Sequence, residues 1–408
     1  MKRKKILRRI LTSLLAFLVS LFCAFSTVAE ESVVPILETD EGSTAVSVSD
    51  LGVEDGSLNL NCKSVVLMEV TTGAILYKQN AEEALPPASV TKIMTLLLVM
   101  EAVDAGTVRL DDIVTVSPNA ASMGGSQVYL KEGEQMTLED MLKSVVIASA
   151  NDAAVALAEH IAGSVTSFVE KMNQRAADLG MQNTVFENVT GLDDTAERHL
   201  TSARDIALMS RALIAHETIL QYSSIWMDTI RNGAFGLTNT NRLVRFYPGC
   251  TGLKTGSTSK AGFCVSVTAE RNGFSLICVV MGAESRDVRN RIATELLDWG
   301  FANYGIYTSE PILPEPIAAV GSAERICKLS CGSFSCVLPK QQLSEVEIRI
   351  ELPETVVAPV KAGDEIGSAV LLVEDREIAR LPITAAEDLS RINFFEILIR
   401  ILARALLI

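Results

Sequence analysis

Three short motifs carry the chemistry that this sequence can do: Ser89-Val90-Thr91-Lys92, Ser149-Ala150-Asn151 and Lys254-Thr255-Gly256. On a helix that begins at Ser89, residues three apart share a face, and the Lys92 amine comes within reach of the Ser89 hydroxyl. A serine hydroxyl is a weak nucleophile until an adjacent base takes its proton. A lysine becomes that base when burial and neighbouring cations depress its pKa. Taken alone, the pair is far more often the pattern of a helix cap followed by a solvated lysine. The other two motifs, in this order, point instead to a serine nucleophile with lysine as its base. His160, His199 and His216 fall outside all three motifs and read as surface or cap positions.

The surrounding sequence supplies the elements that must hold these side chains. Pro86-Pro87 leads into a helix in which Ile93, Met94, Leu96, Leu97, Leu98, Val99 and Met100 are apolar on nearly all sides, the mark of a buried helix. Its N-terminus brings free backbone N–H groups and the positive end of the dipole to Ser89, which suits an oxyanion hole. Thr137-Leu138-Glu139-Asp140 opens a helix through residue 146, and residues 153–162 form a second, alanine-rich one. Ser149 and Asn151 fall in the break, where they either point into a cleft or cap the second helix. Residues 263–270 and 274–281 are rich in β-branched side chains and flank Asn272-Gly273, a hairpin signal. Lys254-Thr255-Gly256 then lies on or beside an antiparallel strand, where Gly256 permits close backbone approach by a ligand. Residues 64–70 and 74–77 flank Thr71-Thr72-Gly73 as another hairpin. Strands at both ends with helices between predict an α+β fold, one antiparallel sheet packed by helices.

Together the motifs resemble those of low-molecular-weight penicillin-binding proteins, the serine-type D-alanyl-D-alanine carboxypeptidases of peptidase family S11. Class A β-lactamases share the same signature. The likeness extends to Leu85-Pro86-Pro87-Ala88, Asp152-Ala153-Ala154, Asn239-Thr240-Asn241, Gly252-Leu253 and Ala261-Gly262-Phe263-Cys264, and covers about residues 58–385. It implies a β-lactamase/transpeptidase-like domain followed by a small all-β domain that acts as a spacer from the membrane. It further implies that Ser89 forms an acyl-enzyme on the penultimate D-alanine of a peptidoglycan stem peptide. Lys92 would be the general base, Ser149 the proton relay to the leaving amine, and Asn151 a partner of the peptide backbone. Lys254 would set the positive potential, Thr255 would bind the terminal carboxylate, and the N–H groups of Ser89 and Ser257 would form the oxyanion hole. Arg289 would help orient that carboxylate, a role that competes with a solvated position on a helix surface. β-Lactam antibiotics are implied as covalent inhibitors, and no cofactor is implied.

A β-lactamase is the nearest rival. Class A enzymes carry a glutamate that activates the deacylating water. Here Glu187 directly precedes Asn188, without the Glu-x-x-x-Asn spacing, whereas Asn188-Val189-Thr190-Gly191-Leu192 resembles the carboxypeptidase block. The expectation is a long-lived penicilloyl enzyme. A non-catalytic wall-binding scaffold is the alternative from another class, and product assays on a pentapeptide separate the two.

The ends of the chain speak of export. Lys2, Arg3, Lys4, Lys5, Arg8 and Arg9 precede an apolar run and Thr27-Val28-Ala29, so residues 1–29 read as a signal peptide, with an uncleaved anchor as the alternative. Its removal leaves 30 basic against 50 acidic residues and a net charge of −20, where the whole chain has −14. So acidic a protein disfavours nucleic acid as a partner and makes the cluster of Lys92, Lys254 and Arg289 a local exception suited to a carboxylate. Cys327, Cys331 and Cys336 lie close in sequence but lack a fourth ligand, and no metal site is expected.

The domain expectations are an acidic flexible lead-in at 30–57, a catalytic domain at 58–308, and a small β-rich domain at 309–385 after Pro311, Pro314 and Pro316. At 388–408, Asn393, Glu396, Arg400 and Arg404 fall on one stripe of an otherwise apolar helix. That pattern predicts a membrane-surface helix at the outer face of the cytoplasmic membrane, with a helix buried against the protein as the alternative.

Overall fold

The computed structural model describes residues 36–38, 44–46, 58, 60–192 and 196–405. The expected signal peptide and most of the lead-in lie outside them. The central sheet has five strands, β1 (Ser64–Glu69), β2 (Ile75–Gln79), β3 (Cys250–Thr258), β4 (Gly262–Arg271) and β5 (Phe274–Ala283). Their order is β2-β1-β5-β4-β3, antiparallel throughout. The two expected hairpins are β1–β2 and β4–β5, the latter paired from Phe263 opposite Ala283 to Arg271 opposite Phe274. Successive strand residues face opposite sides, and here both sides are buried. Val66, Met68, Ile277 and Val279 join a helical core on one face, while Val65, Leu67, Leu276, Cys278 and Val280 face the other.

The helical face contains α1 (Lys92–Asp104), α2 (Leu138–Ala148), α3 (Asn151–Ala162), α4 (Val165–Asp178) and α5 (Ala203–Ile214). Helix α1 touches all four of the others. Ile93, Met94, Leu96, Leu97, Val99 and Met100 are accordingly buried, each contributing about 1.5–3 kcal/mol by leaving water. The opposite face is covered by α6 (Arg286–Asn303), through Ile292, Leu296 and Leu297. The α+β architecture expected from the sequence is the observed one.

Beyond α6 the regular structure is strand, apart from a 3-10 turn at Lys340–Gln342, as far as Ala385. Strand β6 (Tyr304–Thr308) pairs with β7 (Phe334–Pro339), and β8 (Val346–Glu351), β9 (Glu365–Val373) and β10 (Arg376–Ala385) form an antiparallel sheet. Two short strands of the lead-in, Ile36–Glu38 and Thr44–Val46, pair with each other, and the second runs parallel to β7. Most of the lead-in expected at 30–57 lies outside the described residues. Three-residue strands that borrow their partner from a segment near residue 335 leave no periodicity to read. Helix α7 (Phe394–Ala405) follows. No helix among the described residues is long and apolar enough to cross a membrane.

Candidate active site

The nucleophile sits where helix geometry changes. A 3-10 turn, Ala88–Thr91, precedes α1, so the helix expected from Ser89 begins with a tighter turn. Ala88 is buried at φ 48, and Thr91 Oγ1 donates to its carbonyl oxygen at 2.9 Å. One residue later, Lys92 is fully buried with Nζ 2.9 Å from Ser89 Oγ and 2.9 Å from the Thr190 carbonyl oxygen. Burial drives its pKa well below the usual lysine value and the charge of Lys254 lowers it further, against an opposing pull from Asp152. A lysine whose pKa is lowered in this way is better suited to take a proton from a neighbouring hydroxyl.

Lys254, on β3, is the second buried amine. Its Nζ donates to Ser149 Oγ at 2.8 Å and to the Thr255 carbonyl oxygen at 2.8 Å. Burial, then the nearby Arg289, brings its pKa down to about 7. Ser149 is the left-handed C-cap of α2 at φ 63, and Asn151 opens α3. The break between the two helices therefore turns Ser149 toward the sheet. Asn151 Nδ2 donates to the Gly124 carbonyl at 2.7 Å, while its buried Oδ1 has no hydrogen-bond partner among the described residues. A buried acceptor without a partner is costly in a resting protein and is a natural place for a ligand N–H.

Strand β3 runs close to the nucleophile turn, with Gly256 against the backbone of residues 87–90. Ser89, Ser149, Thr255, Gly256, Ser257 and Arg289 line a common cavity of about 550 Å³. Lys92 and Lys254 stand behind its wall. Thr255 Oγ1 donates to Thr240 Oγ1 at 2.8 Å. Arg289 is buried, with Nη1 3.3 Å from the Cys264 carbonyl oxygen and Nη2 2.8 Å from Asn290 Oδ1. It is thus a lining residue of the cavity and not a solvated helix arginine. Burial, then Arg286, lowers its pKa to about 10.

The D-alanyl-D-alanine carboxypeptidase family matches residues 52–285 of this chain, and the C-terminal domain of penicillin-binding protein 5 matches residues 331–391. D-alanyl-D-alanine carboxypeptidase DacF of Bacillus subtilis is 40% identical over 357 residues, 86% of this chain and 91% of that one. The chain belongs to the D-alanyl-D-alanine carboxypeptidase family. Penicillin-binding protein 5 from Haemophilus influenzae superposes with a TM-score of 0.75 at 31% identity, covering 81% of this chain and 98% of the other. Penicillin-binding protein D2 from Listeria monocytogenes, solved with ampicillin bound, is 33% identical with a TM-score of 0.56 over 60% of this chain and 99% of its own.

Several residues that support this carboxypeptidase site were not legible as such. Thr190 offers Lys92 its carbonyl because Asn188 Oδ1 accepts from the N–H groups of Thr190 and Gly191, and Thr95 Oγ1 holds the Val189 carbonyl. Asp152 accepts from the N–H groups of Val128 and Leu130, fixing the loop that faces Asn151. His199, expected at the surface or a cap, is instead buried. Its Nε2 lies 2.7 Å from Thr91 Oγ1 and its Nδ1 accepts from Glu187 N–H at 3.0 Å. It ties the nucleophile turn to the segment carrying Thr190, a contact between residues about a hundred positions apart that no local pattern announces.

Proposed function

We propose that this carboxypeptidase removes the terminal D-alanine of peptidoglycan stem pentapeptides through a Ser89 acyl-enzyme. The observation that carries the reading is the buried Lys92 amine 2.9 Å from the Ser89 hydroxyl. Neutral Lys92 takes the Ser89 proton as Oγ attacks the penultimate D-alanine carbonyl. The N–H groups of Ser89 and Ser257 receive the oxyanion. As the amide C–N bond breaks, the proton passes through Ser149 to the departing amine, and D-alanine leaves. Water then cleaves the Ser89 ester and restores the hydroxyl.

Binding follows from the same geometry. Asn151 Oδ1 has an unfilled acceptor for a substrate N–H. Lys254, Thr255 and Arg289 gather positive charge and hydrogen bonds for the terminal carboxylate, and Gly256 lets the peptide run close to β3. No aspartate or glutamate is among the described residues lining the cavity. Glu187 accepts from Arg198 N–H instead. This supports a penicilloyl enzyme that deacylates slowly, so β-lactams act as inhibitors.

The organisation we assign is a signal peptide at 1–29, a lead-in at 30–57, a catalytic domain at 58–308, a β-rich domain at 309–385 and an anchoring helix at 388–408, with the enzyme working outside the cytoplasmic membrane. Support for the anchor comes from α7. Asn393 and Glu396 cap its start reciprocally, and the Arg400 guanidinium donates to the Ala323 carbonyl oxygen. Of the polar stripe, Arg400 thus reaches the β-rich domain. Phe394, Phe395, Ile399, Ile401 and Leu402 are left exposed, the arrangement of a helix lying in a membrane interface.

The test is incubation of the purified chain and of Ser89→Ala with a stem pentapeptide ending in D-Ala-D-Ala, followed by mass spectrometry. Loss of one alanine only with Ser89 intact supports the reading. Equal loss with both, or none with either, overturns it.

A further inference from the structure

One exposed aromatic near the active site is held more firmly than a surface residue requires. Tyr129 is 66% exposed, although Val128 and Leu130 on either side of it are buried. Its backbone stands at φ 58, a left-handed conformation that a bulky side chain seldom adopts. The N–H groups of Val128 and Leu130 donate to Asp152 at 3.1 and 3.0 Å. Arg231 donates to the carbonyl oxygens of Val128 and Tyr129 at 2.8 and 3.3 Å, and is itself paired with Glu134 at 2.7 Å. The tyrosine ring meets Phe235 edge to face at 6.3 Å, and the Arg231 guanidinium lies 5.3 Å from the centre of the Phe235 ring. Backbone strain persists where its surroundings over-determine it, and it collects at sites that bind or react. The acyl transfer proposed above makes no use of this residue.

Two segments lead from the cavity to this ring, since Ser126 and Thr238 both line the cavity wall. The Ser126 carbonyl oxygen accepts from the Asn151 N–H at 2.7 Å. The loop to Tyr129 therefore leaves the cavity beside Asn151, the residue assigned above to the peptide backbone, and three residues carry it at most about 10 Å. The strand Phe235–Thr238 points the same way. Beyond Thr238 the chain reaches Thr240 and its bond to Thr255, so Phe235 lies at the end remote from the terminal carboxylate, about 10 Å from Thr238 along the strand. On the substrate, three residues of a stem pentapeptide precede the D-alanine whose carbonyl Ser89 attacks. Extended, they also span about 10 Å, and the sugar to which the stem is joined comes next.

We infer that Tyr129, backed by Phe235, is a stacking surface for the sugar ring that carries the stem peptide. The inference rests on the function proposed above and adds a binding site, outside the Ser89 cavity, for a further part of that substrate. A saccharide ring has an apolar face of C–H groups and a polar rim. Tyrosine offers a matching surface, an apolar ring face with a polar edge, and only two side-chain torsions are ordered when it binds. Asp152 and Arg231 fix the loop before the ligand arrives, which lowers the ordering cost further.

The test compares kcat/KM of the full chain on one stem pentapeptide ending in D-Ala-D-Ala, its N-terminus either acetylated or joined to N-acetylmuramic acid. The expected result is D-alanine release about tenfold more efficient from the sugar-bearing peptide, carried by a lower KM, a gain of the size that pocket contacts control. Tyr129→Ala should bring the ratio of the two substrates to about one, and Tyr129→Phe, which keeps the ring, should preserve it. Because the readout is a ratio within each protein, a general loss of folded enzyme does not imitate it. Equal release from both peptides by the unaltered chain overturns the inference and leaves the carboxypeptidase reading standing. A preference that survives in Tyr129→Ala, or that Tyr129→Phe loses as well, also overturns it. Release from neither peptide would fail the carboxypeptidase reading itself, and the inference with it.

Discussion

A methyl group on Gly256 would stand 2.8 Å from the backbone nitrogen of Ser89 and 2.9 Å from that of Val90, closer than a real Cβ comes to such atoms. The glycine of the third motif is thus a spacing element between β3 and the nucleophile turn, as well as room for a ligand. Because the atoms it would meet are backbone, a side chain here must push the strand from the turn.

For Gly256→Ala the expected outcome is a loss of about 10²-fold in the rate of penicillin acylation, the cost of a misplacement of about 1 Å between reacting groups. Overpacking should lower stability by about 1–3 kcal/mol. Stopped-flow acylation and denaturant titration check the two parts. Full acylation activity would show that the contact is not restrictive.

Lys92→Met keeps the length of the side chain and removes the amine. Ser89 then lacks the base 2.9 Å away, and acylation should slow by about 10²–10⁴-fold, the usual contribution of a positioned proton acceptor. Acylation close to the unaltered rate would move the role of base to another group.

The pKa of Lys254, brought to about 7 by burial and by Arg289, makes carboxylate binding sensitive to pH near neutrality. As pH rises through that value the ammonium loses its proton, and KM for a carboxylate-terminated substrate should rise. Arg289 disfavours the charged lysine, so Arg289→Gln should raise the Lys254 pKa and move this limb to higher pH. A profile of KM from about pH 6 to about pH 9 in both proteins reads the midpoint. A limb that stays fixed or moves down contradicts the assignment.

Phe394 and Phe395 are 70% and 73% exposed on the outward side of α7. Replacing both with glutamate should abolish sedimentation of the protein with phospholipid vesicles, since burial of the apolar face drives interfacial binding. Undiminished sedimentation places the anchor elsewhere.

How far the sequence reached is instructive residue by residue. Helix α1 was legible because its apolar side chains leave no polar face, and β4–β5 because Asn272-Gly273 joins two apolar runs. Ser89, Lys92, Ser149 and Lys254 were legible because the spacing of motifs within a fold is local information plus order. The 3-10 turn at Ala88–Thr91 was not, since it depends on long-range contacts: Gly191 packed on Ala88, and His199 bonded to Thr91. His199 looked like any polar loop residue until the fold buried it. The partnership of Thr255 with Thr240 likewise joins residues that only the assembled fold brings together.

The central claim is that Ser89 becomes acylated with Lys92 as its base, and the most direct measurement is rapid-quench peptide mass mapping of the full chain after mixing with benzylpenicillin. A single penicilloyl adduct on the peptide carrying Ser89, absent in Ser89→Ala and formed about 10²–10⁴-fold more slowly in Lys92→Met, is the predicted result. An adduct on another residue, or one formed equally fast without Lys92, would contradict the account.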